Sequence, residues 1–285
     1  MRKKGQKILF CFLIIFALCG SGFAGKVLAQ KNHADDVALP IIMYHEVKTQ
    51  RFHSLAISRS EFAQDMAWLK KENYTPISMQ TLIGYVHGKN ALPSKPIILT
   101  FDDGYLNNYT YAYPILKQYG YPAVLSVIGK DTDNFSAFPS QNENYAHMTW
   151  DQLREVQQSG IFEIENHTYD LHAMGKGKRF GCKKLPGESL PHYQKALTQD
   201  IQTCQEKIQN TIGTSPTTFT YPYGNVSEES VPIIQKMHFQ ASLSCRYGIN
   251  LINQNPDCLY LLKRISRLHN TSLQKSLQKA VKADA

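Results

Sequence analysis

The feature that most constrains this chain is a recurrence. Short apolar, β-prone runs alternate with stretches of helical periodicity. The runs fall at 40–47, with Ile41-Ile42-Met43-Tyr44 at the centre, and at 96–101, 123–128, 161–165, 217–221, 240–244 and 259–265. Between the first two, Ser58 and Glu61 have capping-box spacing, and Phe62, Met66 and Leu69 follow at i, i+4 and i+7. Thr149 and Gln152 repeat the box before a helix that Gly160 ends. Further helices are expected over 79–87, 110–119, 192–211, 227–237 and 270–285, the last with Leu273, Leu277 and Val281 in register. Strands joined by helical crossovers run parallel. Seven or eight of them, with no domain-scale linker and no internal repeat, predict an α/β single domain: a distorted (β/α) barrel of about seven parallel strands. An open doubly wound sheet is the alternative. Segments 131–147 and 173–191 read as polar loops over a cleft.

Of 285 residues, 42% are hydrophobic and 19% charged, which excludes a disordered chain and a polytopic membrane protein. The net charge of +8 misleads. Arg2, Lys3, Lys4, Lys7 and Lys26 lie in the first 29 residues, which hold no acid; the remainder balances 26 bases against 23 acids, or +3. Nucleic acid is therefore not an expected partner. Met1–Lys7 is basic, Ile8–Cys19 is an apolar run of 12 residues, and Val27-Leu28-Ala29 fits a signal-peptidase site. We read 1–29 as an export signal, with an uncleaved membrane anchor as the alternative, and the protein as secreted or held at the cell surface. Four cysteines remain, Cys182, Cys204, Cys245 and Cys258. They admit two disulfides or four thiols, and no pairing is fixed by the sequence.

The chemistry gathers where strands stop. In a parallel barrel all strand C-termini open on one face, so residues distant in sequence converge there. Thr100-Phe101-Asp102-Asp103-Gly104-Tyr105 puts two carboxylates after a buried strand, a costly place for charge unless it is paired or bound to a cation. Adjacent side chains diverge, so one Asp can ligate a metal while the other faces substrate; the bland alternative is a helix cap and a glycine turn. Glu165-Asn166-His167-Thr168-Tyr169-Asp170-Leu171-His172 holds two His at i, i+5, a spacing for a loop rather than one helix face. One Asp and two His on a divalent ion leave a position open for water. Tyr221-Pro222-Tyr223-Gly224 is an ordinary turn or one that aims a backbone N–H at a developing oxyanion. His45, ending the first run, titrates in the range of a general acid. Tyr105, Tyr221 and Pro222 are placed on the substrate side, since rim aromatics suit sugar rings. Lys176, Lys178, Arg179, Lys183 and Lys184 make a basic loop, solvated or turned to an anionic polymer.

Together these residues resemble the polysaccharide deacetylases of carbohydrate esterase family 4, the NodB-homology domain, over about residues 38–270. Residues 30–37 are then a linker and 271–285 a tail helix. The resemblance implies the barrel fold and metal-dependent hydrolysis of N-acetyl groups on a glycan, releasing acetate, usually with Zn2+. It implies Asp102 as catalytic base and Asp103, His167 and His172 as metal ligands; in the mechanism expected from these residues the Tyr223 N–H holds the oxyanion. Three departures stand out. The His pair is usually i, i+4; the wider spacing resembles the branch acting on biofilm poly-N-acetylglucosamine. Thr220 stands where an Arg usually braces the base, and Arg264 is the expected substitute. The late Asp-Trp motif is absent, and Arg267-Leu268-His269 only approximates the late Leu-x-x-His. His45 is therefore the expected acid, with His269 as alternate. Peptidoglycan or chitin-like oligomers are the second substrate class, and a non-catalytic glycan-binding barrel the third reading. A monomer is expected.

Overall fold

The computed structural model describes residues 36–173 and 179–284. The export signal, the linker up to residue 35, and Lys176 and Lys178 lie outside these residues. No helix among the described residues is long and apolar enough to cross a membrane.

Seven strands form one parallel sheet: β1 (Ile41–Tyr44), β2 (Pro96–Phe101), β3 (Ala123–Val127), β4 (Phe162–Asn166), β5 (Thr218–Thr220), β6 (Ala241–Leu243) and β7 (Ile265–Ser266), in the order β6-β5-β4-β3-β2-β1-β7. The sheet curls until its edges meet. A parallel bridge joins Leu243 to Leu262, and the Arg264 N–H donates to the Arg246 carbonyl at 2.8 Å. The predicted distorted barrel is thus the observed fold.

The helices are α1 (Arg59–Lys71), α2 (Met79–Val86), α3 (Tyr113–Tyr119), α4 (Gly129–Ala137), α5 (Trp150–Gln158), α6 (Leu190–Ile212), α7 (Ser230–Lys236) and α8 (Leu273–Asp284). Both predicted capping boxes form, at Ser58 and at Thr149. Gly213 ends α6 in the left-handed region (φ 88°). On α8 the third buried position is Ala280; Val281 faces outward.

The period of two along each strand sorts side chains into two layers. Ile42, Tyr44, Leu99, Phe101, Leu125, Val127, Phe162 and Ile164 pack outward against α1, α3, α5 and α6. Ile41, Ile98, Val124, Ala241 and Leu243 point inward, over a floor that includes Met79, Leu82, Ile83 and Val86 of α2. Further along, the inward positions turn polar. Ile98 gives way to Thr100 and then Asp102, and Val124 to Ser126, whose hydroxyl lies 2.7 Å from that of Thr220. The same parity carries His45, Asp102 and His167 to the inner face, each one step past a strand end.

Several predicted elements differ. The run 40–47 breaks at His45: Glu46–Lys48 leaves the barrel to pair with Ala56–Ser58. A π-turn (Asn108–Ala112) precedes α3, and Asn108 Nδ2 donates to the His45 carbonyl at 2.7 Å, tying the turn to the end of β1. The predicted loop 131–147 begins inside α4. Its polar sequence hides a buried Thr132 and an Asp133 carboxylate that receives the Trp150 indole N–H at 2.9 Å. The run 259–265 is not one strand. Asn255 caps a 3-10 turn over Pro256–Leu259, Leu261 takes a positive φ of 57°, Leu262 makes a single bridge to Leu243, and only Ile265–Ser266 forms a strand. All four cysteines are free thiols. Cys204 Sγ faces the Val127 carbonyl, Cys258 Sγ the Asn253 carbonyl and Cys245 Sγ the Arg264 guanidinium, so their environments are separate.

Two inward carboxyls on β4 make the barrel pH-sensitive. Glu163 accepts the N–H groups of Met79 and Gln80 at the start of α2, and Glu165 accepts the Thr218 N–H at 2.7 Å. Burial pushes Glu163 up to about 7; burial and then the Glu163 charge push Glu165 further. Between the ordinary value of 4.5 and about 7, the unfolded chain has released these protons while the folded chain holds them. Stability from this pair therefore falls as pH rises through that window. Glu165→Gln should flatten the fall, by about 1–3 kcal/mol across the window. Urea unfolding of both proteins at pH 4.5 to 7.5 checks this, the difference between the two curves isolating the pair; parallel curves would refute it.

Candidate active site

The strand ends open on a cavity of about 370 Å3. Its wall holds His45, Asp102, Asp103, Tyr105, His167, His172, Tyr223 and Cys245.

Asp102 is bound by Arg264, at 2.7 Å from Nη1 to Oδ1 and 2.8 Å from Nη2 to Oδ2. The guanidinium is fully buried and also donates to the Ser244 carbonyl (2.8 Å) and the Thr100 hydroxyl (3.2 Å). Arg264 thus lies against Asp102, the carboxylate that the resemblance expects it to brace. Burial alone would raise the Asp102 pKa. The Arg264 charge and hydrogen bonds, then His167 and His45, outweigh it and hold the carboxyl below its ordinary value. Asp102 is therefore ionised at neutral pH and aimed into the cavity.

Asp103, His167 and His172 come together, with one ligand atom from each all within 4.8 Å of one another. Asp103 Oδ1 lies 3.5 Å from His167 Nε2 and 3.3 Å from His172 Nε2, buried and with no hydrogen-bond donor. His167 Nδ1 donates to the Thr220 carbonyl at 2.8 Å, which leaves Nε2 as the inward nitrogen. Burial, then His167, lower His172 to about 4, so it is neutral at pH 7. Burial would lower His167 too, but the neighbouring Asp103 and Asp102 carboxylates raise it; a bound cation would take the place of that proton. One carboxylate, two imidazoles and an orphaned buried oxygen fit a divalent cation.

Three turns aim these groups, and in each a non-glycine residue holds a positive φ: Asp103 (73°), Thr168 (72°) and Tyr223 (57°). The first makes adjacent Asp side chains diverge, as expected. Its carbonyl accepts His147 Nδ1–H at 2.9 Å. The second is fastened by the Thr168 N–H to Asn166 (2.9 Å) and by Asp200 of α6, which accepts the Tyr169 and Asp170 N–H groups. It forms a loop, which is how two His at i, i+5 meet, with ring centroids 5.0 Å apart. The third sits in a 3-10 turn over Pro222–Gly224; Pro222 has no N–H and the Gly224 N–H donates to the Tyr221 carbonyl at 3.0 Å, which leaves the Tyr223 N–H as the turn's leading donor. The Tyr223 ring lies 4.1 Å from His172 and 4.4 Å from Phe180.

His45 lines the cavity, and its buried Nδ1 has no hydrogen-bond partner. The alternate, His269, lies elsewhere: Nδ1 is 2.8 Å from Glu61, and its ring stacks on Phe52. Tyr105 is in the cavity, where burial and then the charges of Asp103 and Glu46 raise its phenol well above the ordinary value. The placement of Tyr221 and Pro222 on the substrate side is corrected. Tyr221 is 0% exposed, packs edge-on to Phe219 in the outer layer and takes a hydrogen bond from Ser230. Pro222 is buried behind Tyr223 and does not line the cavity. Their part is to carry the Tyr223 turn. Of the basic loop, Arg179 is paired bidentately with Glu188.

Sequence reasoning missed Cys245, His53 and Leu55 on the cavity wall and His147 beneath Asp103. No local pattern marks the first three. His147 falls in a stretch read only as loop.

Residues 89–242 match the polysaccharide deacetylase family. The chain is 26% identical over 255 residues to the poly-beta-1,6-N-acetyl-D-glucosamine N-deacetylase of Escherichia coli K12, covering 83% of this chain and 37% of that protein. It therefore spans well under half the length of that relative. It is 26% identical over 211 residues to the protein of the same name from Staphylococcus aureus, covering 73% and 66%. Among solved structures it is similar to IcaB from Ammonifex degensii, at 26% identity and a TM-score of 0.68, covering 87% and 97%.

Arg264→Met would leave Asp102 buried without its partner. The expected loss is about 3–5 kcal/mol in urea unfolding. The double variant with Asp102→Asn should be less destabilised than the single costs add up to, because no bare charge remains. Strict additivity in that double-mutant cycle would refute the pairing.

Proposed function

The chain belongs to the polysaccharide deacetylase family, and on that premise we propose that it is a metal-dependent hydrolase removing N-acetyl groups from an extracellular polysaccharide, poly-N-acetylglucosamine in first place. The observation that carries the reading is the pairing of two differently placed carboxylates: Asp102 held ionised by Arg264, and Asp103 grouped with two His. The names of the E. coli and S. aureus relatives support the polymer, and the i, i+5 His spacing agrees with it.

Asp103, His167 and His172 are the residues that would hold the ion, Zn2+ in first place. When bound, it supplies a polarised acetamide carbonyl and a water of lowered pKa. Asp102 takes the proton from the attacking water; its depressed pKa keeps it available as a base through the neutral range. The Tyr223 N–H, in the leading part of its turn, donates to the developing oxyanion. His45 protonates the departing nitrogen, with Nδ1 or Nε2 set by the bound substrate. The products are acetate and a glucosamine unit that is cationic near neutral pH. Export through residues 1–29 would put the enzyme where such a polymer lies.

Acetate release is the test, with poly-N-acetylglucosamine, chitin and peptidoglycan fragments offered side by side, with and without chelator and added zinc. Release from the first, lost with chelator and restored by zinc, is the expected result. Preference for another polymer would move the substrate. Absence of release from all three, with zinc bound, would leave a glycan-binding barrel. Asp102→Asn should lower turnover by roughly a hundred- to ten-thousand-fold while calorimetry still registers zinc. His45→Ala should lower it by roughly a hundredfold or more, and His269→Ala far less. The reverse order would exchange their roles.

A further inference from the structure

A second groove of about 770 Å3 is lined by Phe52, Arg59, Glu61, His269 and Asn270 among others, and Phe52 is the chain neighbour of His53 on the wall of the first cavity. One loop serves both. Glu46 and His53 face the cavity, while Lys48 and Phe52 face the groove. Glu46, itself buried, holds the loop from both sides: its carboxylate lies 2.8 Å from His53 Nε2 and 2.5 Å from Lys48 Nζ, and it accepts Asn107 Nδ2–H at 2.9 Å.

The groove has the features of a sugar platform. Phe52 is 39% exposed, yet its ring is not loose; it stacks on His269, centroids 4.7 Å apart and 24° from parallel. His269 is fixed in turn by Glu61, which also accepts the Asn270 N–H at 2.7 Å. Burial would raise Glu61, but its hydrogen bonds to Ser58, His269 and Asn270 outweigh this and lower it to about 2, so the support is ionised at neutral pH. A pyranose presents a face of C–H bonds to such a ring, and its hydroxyl and acetamide groups turn outward to a polar rim. Arg59 and Asn270 supply that rim.

We propose that this groove is a subsite of the same enzyme, binding an N-acetylglucosamine unit of the polymer next to the unit in the reaction cavity, with Phe52 as its stacking platform. This rests on the function proposed above. A polymer-acting enzyme needs contacts beyond the reacting unit, and the loop that carries His53 into the cavity carries Phe52 into the groove. His269 acts here as the backing of Phe52, not as an acid.

The experiment compares a β-1,6-linked N-acetylglucosamine pentasaccharide with a single-sugar aryl N-acetylglucosaminide, in the wild-type protein, Phe52→Ala and Phe52→Tyr. Phe52→Ala should raise KM for the pentasaccharide roughly five- to tenfold. Its kcat, and kcat/KM for the single sugar, should stay near wild type; Phe52→Tyr should restore the pentasaccharide KM. Wild-type activity with an unchanged pentasaccharide KM in Phe52→Ala would overturn the subsite and leave the enzyme standing. So would equal losses on both substrates, or failure of Phe52→Tyr to restore. No activity of the wild-type protein on either sugar would overturn the functional reading itself.

Discussion

The buried Arg264–Asp102 pair is the interaction around which the barrel is arranged. Its partners lie 162 positions apart, in opposite halves of the chain. Arg264 reaches Asp102 only if β7 has returned beside β1 and the sheet has closed, since the same guanidinium also donates to Ser244 just past β6. Closure and charge neutralisation are thus one event. A well-packed apolar pair of similar size would hold such a core as well or better. What the two charges add is electrostatic: an interior carboxylate stays ionised only beside a fixed cation, and this one faces the cavity.

The pair keeps Asp102 ionised, and backbone strain fixes what stands around it. Asp103, Thr168 and Tyr223 hold left-handed conformations that cost about 1–3 kcal/mol each. They persist because the surroundings overdetermine them. His147 clasps the Asp103 carbonyl, Asp200 clasps the turn after His167, and the Tyr223 ring is sandwiched between His172 and Phe180. Each turn follows a strand whose inward parity has just ended, and each diverts the next group into the cavity. The buried β4 carboxyls, by contrast, lie further down the barrel and make its stability depend on pH without reaching the site.

Much of this was legible in the sequence, and the losses have physical causes. Strand runs, capping boxes and glycine stops are local signals, and they located most elements to within a few residues. Asp102, Asp103, His167 and His172 were readable because polar groups directly after apolar strands are rare and converge in a parallel barrel. Arg264 was readable only as the cation missing elsewhere. Tyr221 was misplaced through neglect of parity: Thr218 and Thr220 face inward, so Phe219 and Tyr221 must face the helices. α4 was lost because its anchors, Trp150 to Asp133 and its N–H to Ser136, come from the next helix and leave no local pattern. The 259–265 run looked like a strand by composition, but Asn255-Pro256 started a turn that composition does not weigh. Cys245 and His53 were invisible because the cavity, not the sequence around them, makes them neighbours.

Parity also explains how two His near neighbouring strand ends come to differ. β1 and β7 are paired in parallel, with Met43 opposite Ser266. Carried two residues on, that register sets His45 opposite Leu268, not opposite His269. His45 keeps the inward face of Ile41 and Met43 and meets Asp102 and Asp103. His269 falls on the other side, where Glu61 takes it and Phe52 covers it. A proton donor can therefore be offered to the same cavity from either of two adjacent strands, but only at the right parity. In this chain the histidine after the first strand has that parity, and the histidine after the last strand packs between Glu61 and Phe52 instead.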